Sequence, residues 1–300
     1  MRAFQDYLRA KRSVDDRALD RGLLDAVQAS LQGIARTREG PVRIVEVGAG
    51  IGTMIERFVE WDLLPTGRVE YTAIDLNGAN LQALGPELSR WADGRELTVR
   101  EADPILIDSA TRQVEVVPVE GDAQTILASS DRRWDLLIGA AVLDVLPVES
   151  LSTFCSVVEP GGLGYFPITF DGATRFRPAV PGDRAIERAY HAHMDEKPGG
   201  SSHAGGDTVE WVRERPDSTL LGVGGSDWLV RPVGGAYPGD EAAFLRDVLD
   251  TVEGAVRETG REAAGAALDE WLRTRRRQLD RTELVYYTHQ LDVLCRVDEP

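Results

Sequence analysis

Cysteine and lysine are nearly missing from this 300-residue chain: each occurs only twice. Cys155 and Cys295 sit among apolar neighbours (TFCSVV and VLCRV), which reads as reduced core thiols and excludes a disulfide framework or a zinc site. With Lys11 and Lys197 the only lysines, arginine supplies almost all positive charge against a formal net charge of −16. That balance repels a phosphate backbone, so DNA and RNA are excluded as partners. It matches the composition of salt-adapted proteins, where acidic excess solvates the whole surface. Long apolar runs are also absent; none approaches the ~18 residues of a membrane span. The start, MRAFQDYLRAKRSVDDR, lacks the apolar stretch and small-residue cleavage site of a secretory signal, so a cytoplasmic location is expected.

What is present is enough for a large core: 42% of residues are hydrophobic and 28% charged, ordinary for a globular enzyme. Residues 1–40 repeat apolar positions at helical spacing (Phe4, Tyr7, Leu8, then Leu19, Leu23, Leu24, Val27, Leu31) and read as two helices forming a leader or lid. Five apolar runs follow, VRIVEVG (42–48), VEYTAID (69–75), VEVVPVEGD (114–122), WDLLIGAAV (134–142) and GLGYFPITF (162–170). Runs this apolar suit strands covered on both faces, and the helical stretches between them imply a doubly wound α/β domain. Residues 171–216 turn polar: a helix over AIERAYHAHMDEKP, then the flexible stretch GGSSHAGGD (199–207), together a cap. Residues 217–300 read as a strand (TLLGVGGSDWLVRPV), two helices and a closing strand (LVYYTHQLDVLCRV) that complete the same domain.

The segment with most chemical content is VEVGAGIGT (45–53), where a strand ends and a helix opens. Glycines there permit a tight turn and bring backbone N–H groups and a positive helix end against a small ligand. The spacing places glycines at 48, 50 and 52; the dinucleotide fingerprint wants its third at 53, which is Thr53, so a pyrophosphate ligand is disfavoured. Asp75 ends the second strand, about 20 residues on, where a carboxylate can accept ribose hydroxyls. Glu46 and Asp122 also stand at strand ends, and the three are expected around one crevice. Each alone reads equally as a turn or helix cap.

These segments together, VEVGAGIGT, AIDL (73–76), EGDA (120–123), WDLLIGAAVLDVL (134–146) and EPGGLGYF (159–166), resemble the class I S-adenosylmethionine (SAM)-dependent methyltransferases of small-molecule type. The resemblance covers residues 42–170. It implies a Rossmann-like α/β fold: a doubly wound, mostly parallel seven-stranded sheet whose last two strands form an antiparallel edge, with the 1–40 lid, a SAM-binding core over 41–170 and the 171–216 insertion after strand 5. It further implies that Glu46 and the Gly48, Ala49, Gly50, Gly52 turn hold the methionine part of SAM, that Asp75 with Leu76 takes the ribose, and that Asp122 and Ala123 meet the adenine. Gly139, Ala140 and Ala141 would line the cofactor near its sulfonium. The expected reaction is methyl transfer to a small-molecule acceptor, leaving S-adenosylhomocysteine, by a monomer or homodimer. A non-catalytic nucleotide-binding module on the same fold, or a nicotinamide-dependent oxidoreductase, is the alternative.

If the acceptor carries a proton, a base within reach must take it. On the AYHAHMDEK helix, His191 and Asp195 share a face at i, i+4 and form the candidate base and orienting carboxylate, with His193 nearby; the alternative is a surface helix whose histidines bond solvent. A helix does not converge His191, His193 and Asp195, so no metal is expected. Tyr7, Asp144, His203, Asp227 and Trp228 are candidate acceptor-binding residues, Trp228 reading equally as core. His289 is expected as a satisfied core histidine.

Overall fold

The computed structural model describes residues 4–259 and 262–299; the first three residues of the leader lie outside it. Helices α1 (Phe4–Ala18) and α2 (Arg21–Thr37) precede β1 (Val42–Val47), α3 (Thr53–Glu60), β2 (Gly67–Asp75), α4 (Gly78–Ala92), β3 (Thr98–Arg100), β4 (Ile105–Asp108), β5 (Arg112–Glu120) and α5 (Ala123–Ala128). Then come β6 (Trp134–Ile138), α6 (Ser150–Ser156), β7 (Val158–Arg177), α7 (Asp183–Glu196), α8 (Ala204–Glu214), β8 (Ser218–Gly225), β9 (Trp228–Val230), α9 (Glu241–Glu258), α10 (Glu262–Asp280) and β10 (Val285–Val297). No described helix is long and apolar enough to cross a membrane.

The strands form one sheet ordered β3-β4-β5-β2-β1-β6-β7-β10-β8, with β9 beside β10. Its centre, β5-β2-β1-β6-β7, is parallel. β10 closes it antiparallel to β7 and β8. Both faces of the centre are covered, as the unbroken apolar runs require. Ile44, Tyr71, Ala73, Leu136 and Ile138 pack under α1 to α4, α7, α9 and α10. Val45, Val47, Ile74 and Leu137 pack under α5, α6 and α8. Alternation along β1 sends neighbours to opposite layers.

Two details depart from the sequence expectation. The sheet has ten strands, not seven. The short β3–β4 hairpin adds two at one edge, in a stretch too short and polar to show a strand period. TLLGVGGSDWLVRPV splits into β8 and β9 because Ser226 N–H turns to donate to Gln290 O (2.9 Å). The stretch expected as flexible at 199–207 is half helix: α8 starts at Ala204, the Asp171 carboxylate accepts from Gly206 N–H (3.0 Å), and Thr208 and Val212 are buried. A Cβ at Gly205 would meet Leu291 at 3.1 Å, so this helix packs directly on β10.

One buried side chain joins the leader to the sheet. Asp292 on β10 accepts from Asp20 N–H between α1 and α2 (2.9 Å), from Ile168 N–H (2.8 Å) and from Tyr165 OH (3.0 Å). The β7–β10 register slips between Leu291 and Val293, and Ile168 opposite has φ of +58°, a strained value for a β-branched residue. Asp292 therefore supplies the acceptor that the interrupted ladder does not. Asp292→Ala, which orphans three donors at once, is expected to cost about 3–5 kcal/mol in chemical denaturation, and Asp292→Asn less; a loss under about 1 kcal/mol for Asp292→Ala would refute this account.

Candidate functional site

The glycine turn sits at the C-terminal ends of β1 and β2, the usual place for a ligand on an open α/β sheet. Gly48 and Gly50 have φ of +71° and +57°, in the left-handed region that glycine tolerates. A Cβ on Gly48 would come within 2.5 Å of Val142, so the turn also depends on its lack of side chain. Two bonds pin it to β2: Ala49 N–H donates to Ile74 O (2.9 Å), and Gly50 N–H donates to the Asp75 carboxylate (2.8 Å). The other oxygen of Asp75 accepts from Asn77 N–H (2.8 Å) and Asn80 Nδ2 (3.1 Å). Asn80 in turn accepts from Gln5 Nε2 on α1 (2.8 Å), so the leader helix is hydrogen-bonded to the turn through two side chains.

Beside the turn lies a cavity of about 780 Å³, within the range of small-molecule sites. Gly48, Gly50, Asp75, Leu76, Gly78 and Glu120 border one end. Ala140 and Ala141 border it from the loop after β6, and Ala141 holds φ of +54° while donating its N–H to Pro167 O (3.0 Å). Phe4, Tyr7, Leu8 and Lys11, spaced i, i+3, i+4, i+7 along one face of α1, form a wall over it. The far end is bordered by Asp144, Phe170, Tyr190, Met194, Trp228, Tyr286, Thr288 and Gln290. Three carboxylates border the cavity, Asp75, Glu120 and Asp144, against one cation among the described residues, Lys11. Lys11 is itself paired with Asp15 (3.1 Å).

α1 is held in place by charge. Arg57 on α3, 2% exposed, bonds Asp16 (2.6 Å) and lies 3.5 Å from Asp15; Arg12 bonds Glu56 (2.6 Å); Arg17 bonds the buried Glu241 (2.6 Å).

The structure separates the three acids expected together. Asp75 borders the cavity. Glu46 does not: its side chain points into the layer beneath the turn, where Tyr71 OH donates to it (2.7 Å) and burial pushes its carboxyl up to about 8. Asp122 is spent capping α5, accepting from Thr125 N–H (3.1 Å) and Thr125 Oγ1 (2.6 Å); the Thr125 hydroxyl holds its carboxyl below the usual range. Ala123 is the first residue of that helix. The third acid at the cavity is Glu120, level with Asp75 in the β2–β5 register and close enough that a Cβ on Gly78 would meet its carboxylate at 2.4 Å. Gly52 caps α3, Ala49 is buried, and Gly139 N–H donates to Tyr165 O (3.0 Å) behind Ala140 and Ala141.

The histidines also have other employment. His191 meets Thr174 Oγ1 (3.0 Å) and packs against the edge of Phe170, and burial lowers its pKa. Asp195 accepts from Ser202 N–H (2.7 Å), His193 faces Glu258 (2.6 Å), and His203 stands at the N-cap position of α8 with no cap bond from its side chain. The pair at i, i+4 that α7 presents to the cavity is Tyr190 and Met194, one position earlier. Tyr7, Asp144 and Trp228 border the cavity, whereas Asp227 faces His289 Nδ1 (2.7 Å). His289, expected in the core, is half-exposed between Asp227 and Asp171. Tyr286, Thr288 and Gln290 also border the cavity, and their spacing of two along β10 is the strand period that places them on one face.

Neither a family model nor a curated protein matches this chain. Among solved structures, a SAM-dependent methyltransferase from Thiobacillus denitrificans in complex with S-adenosyl-L-homocysteine is 15% identical over 91% of this chain and 90% of its own, at a TM-score of 0.44. Another, from Geobacter sulfurreducens and also with S-adenosyl-L-homocysteine, is 13% identical over 93% and 92%, at 0.45. A mycolic acid cyclopropane synthase is 10% identical over 92% and 83%, at 0.43.

The buried Glu46 makes stability depend on pH in a defined direction. Its carboxyl rises from an ordinary 4.5 to about 8, so between those values the folded chain holds a proton that the unfolded chain has released. The favourable contribution is present below pH 4.5 and is lost as pH rises through 8. Glu46→Gln keeps an oxygen for Tyr71 OH and has no proton to lose. Its stability relative to the parent, followed by thermal melts, is expected to be near zero at pH 5 and to grow by roughly 2–4 kcal/mol by pH 9. A difference that stays flat with pH would contradict it.

Proposed function

We propose that the chain is a SAM-dependent methyltransferase acting on a small-molecule acceptor. The observation that carries this reading is the charge of the cavity beside the glycine turn: among the described residues, three bordering carboxylates and a single bordering cation already paired with Asp15. A nicotinamide dinucleotide brings a pyrophosphate that this lining has nothing to neutralise, and Thr53 stands where the dinucleotide fingerprint has glycine. A nucleoside bearing a sulfonium and an ammonium suits it.

The residues present fit that ligand. Of the roughly four lone-pair positions on the Asp75 carboxylate, three accept from Gly50, Asn77 and Asn80, which leaves one for a ribose hydroxyl. Glu120, beside the side-chain-free Gly78, offers acceptors for a second hydroxyl. Leu76, 76% exposed at the cavity mouth, presents an apolar surface that a flat base would cover. The backbone of Gly48 and Gly50, with Ala140 and Ala141, would meet the amino-acid end. When bound, SAM supplies an electrophilic methyl group on sulfur, so the protein's main task is to hold the acceptor in line and exclude water.

The reading of residues 1–40 as a lid is supported by the α1 wall and its bond through Asn80 to Asp75. The 171–216 segment contributes Tyr190 and Met194 from α7 and is read as part of the acceptor site. The large polar and aromatic compartment beyond the turn favours an enzyme over a non-catalytic nucleotide-binding module, which needs no such space.

Isothermal titration with S-adenosylhomocysteine is expected to give a Kd in the micromolar range, about −8 kcal/mol. Asp75→Ala, which removes a ligand acceptor and unties the turn together, is expected to weaken it by roughly 100-fold. Absence of heat with either SAM or S-adenosylhomocysteine, alongside binding of NADH, would overturn the assignment.

A further inference from the structure

We propose that the compartment beyond the glycine turn binds the ammonium group of a small primary or secondary amine, so that the methyl acceptor is nitrogen. Its role as an acceptor site rests on the methyltransferase reading; the ammonium recognition itself does not.

Three buried oxygens bordering this compartment, Asp144 Oδ1, Thr288 Oγ1 and Gln290 Oε1, have no hydrogen-bond partner among the described residues. Buried acceptors without donors are costly, and the carboxylate and amide oxygens, which can only accept, call for a guest that carries N–H groups. Around them stand the rings of Tyr7, Tyr190 and Tyr286. Burial raises the Tyr7 phenol well above its ordinary value, with Asp15, Tyr286, Tyr190 and Asp144 adding to the rise. Burial likewise takes Tyr190 up to about 12, with Asp144 adding to it. These groups are thus near enough to feel one another, and their combined field is negative. Lys11, the one cation bordering the compartment among the described residues, is held by Asp15 and lies 5.2 Å over the Trp228 ring, so it leaves Asp144 Oδ1 open. Three phenols and a carboxylate around one space offer several acceptors to the N–H groups of an ammonium, the Tyr7 ring itself being stacked against Phe4 and Phe244. A neutral hydroxyl would bring one donor where an ammonium brings two or three and a charge. Trp228 Nε1, also buried without a partner, would donate to an oxygen elsewhere on the same molecule.

An ammonium nitrogen has no free electron pair. One N–H bond therefore breaks, the proton passes to an oxygen of the Asp144 carboxylate, and the electron pair left on nitrogen would form the new N–CH3 bond as the S–CH3 bond breaks, its pair leaving with sulfur as S-adenosylhomocysteine. Burial holds the Asp144 carboxyl above its ordinary range, with its own backbone N–H and Lys11 tempering the rise, which strengthens it as a proton acceptor.

The test is a set of titrations with benzylamine, benzyl alcohol of the same shape, and tetramethylammonium, followed by calorimetry and tryptophan fluorescence, with and without saturating S-adenosylhomocysteine. Benzylamine is expected to saturate at least about ten-fold more tightly than benzyl alcohol. Asp144→Asn should remove that preference. Tyr190→Leu should weaken benzylamine and tetramethylammonium together by about five-fold, and it decides the matter if Asp144→Asn fails to fold. Benzyl alcohol binding as tightly as benzylamine, or an unchanged preference in Asp144→Asn, would overturn the inference. Benzylamine binding without any S-adenosylhomocysteine binding would sustain the ammonium site and defeat the methyltransferase reading, so the two failures are distinct.

Discussion

The carboxylate of Asp75 is turned inward upon the protein before it can serve any ligand. It accepts from Gly50 in the glycine turn and from Asn77 and Asn80 at the start of α4, closing β1, β2 and α4 around one charge. A left-handed turn such as Gly48 to Gly50 has access to many conformations when free, and each ordered residue costs about 1–2 kcal/mol of entropy. Bonds to a charged acceptor offset that cost before ligand arrives, so the site is organised in advance. The same carboxylate reaches α1 through Asn80 and Gln5, which ties the leader helix to the turn.

The docking of α1 shows how an acidic chain nearly without lysine holds a helix in place. Arg12 and Arg57 cross-link α1 and α3, and Arg17 ties α1 to α9, through carboxylates that are themselves largely buried. Exposed ion pairs of this kind would contribute little. Arg57 differs because burial leaves it no water: removal of its carboxylate partners would strand a buried cation, and the guanidinium fork can satisfy two of them together. The leader is therefore built into the fold, and its cavity-facing residues are positioned as firmly as those of the sheet.

The parallel centre of the sheet was legible because strands covered on both faces carry unbroken apolar runs, and the glycine turn was legible because few residues tolerate its backbone. Which acid faces the cavity was not. Glu46 lies one residue before the end of β1, and strand alternation points it into the layer of Tyr71 and Arg57. Asp122 lies two residues past the end of β5 and meets α5 first, where a cap satisfies it. Glu120, in the same short stretch, needs the β2–β5 register to be seen opposite Asp75. On α7 the i, i+4 rule was sound but anchored on the wrong residue: titratable character drew attention to His191 and Asp195, while the helix turns Tyr190 and Met194 toward the cavity. Helix phase is set by what the helix buries, here Ile186 and Ala189 beside Tyr190 and opposite His191 and Asp195, and a single helix does not disclose it.

The far compartment owes its shape to the interrupted pairing of β7 and β10. Where the register slips, Ile168 takes a left-handed conformation, and it borders the cavity; Ala141, also left-handed, borders it too while donating its N–H to Pro167 next to Ile168. Two unfavourable backbone conformations thus lie side by side at the junction of the glycine-turn end and the aromatic end. Each costs on the order of 1–3 kcal/mol and persists only if the surroundings over-determine it. Asp292, bonded to Ile168, Tyr165 and the α1–α2 junction, does that for one; the paired carbonyl of Pro167 does it for the other. β7 and β10 pair on both sides of the slip, and Tyr286, Thr288 and Gln290 all lie on the part of β10 that precedes it. The bulge is what lets one strand seal the sheet with its second half and wall a polar pocket with its first.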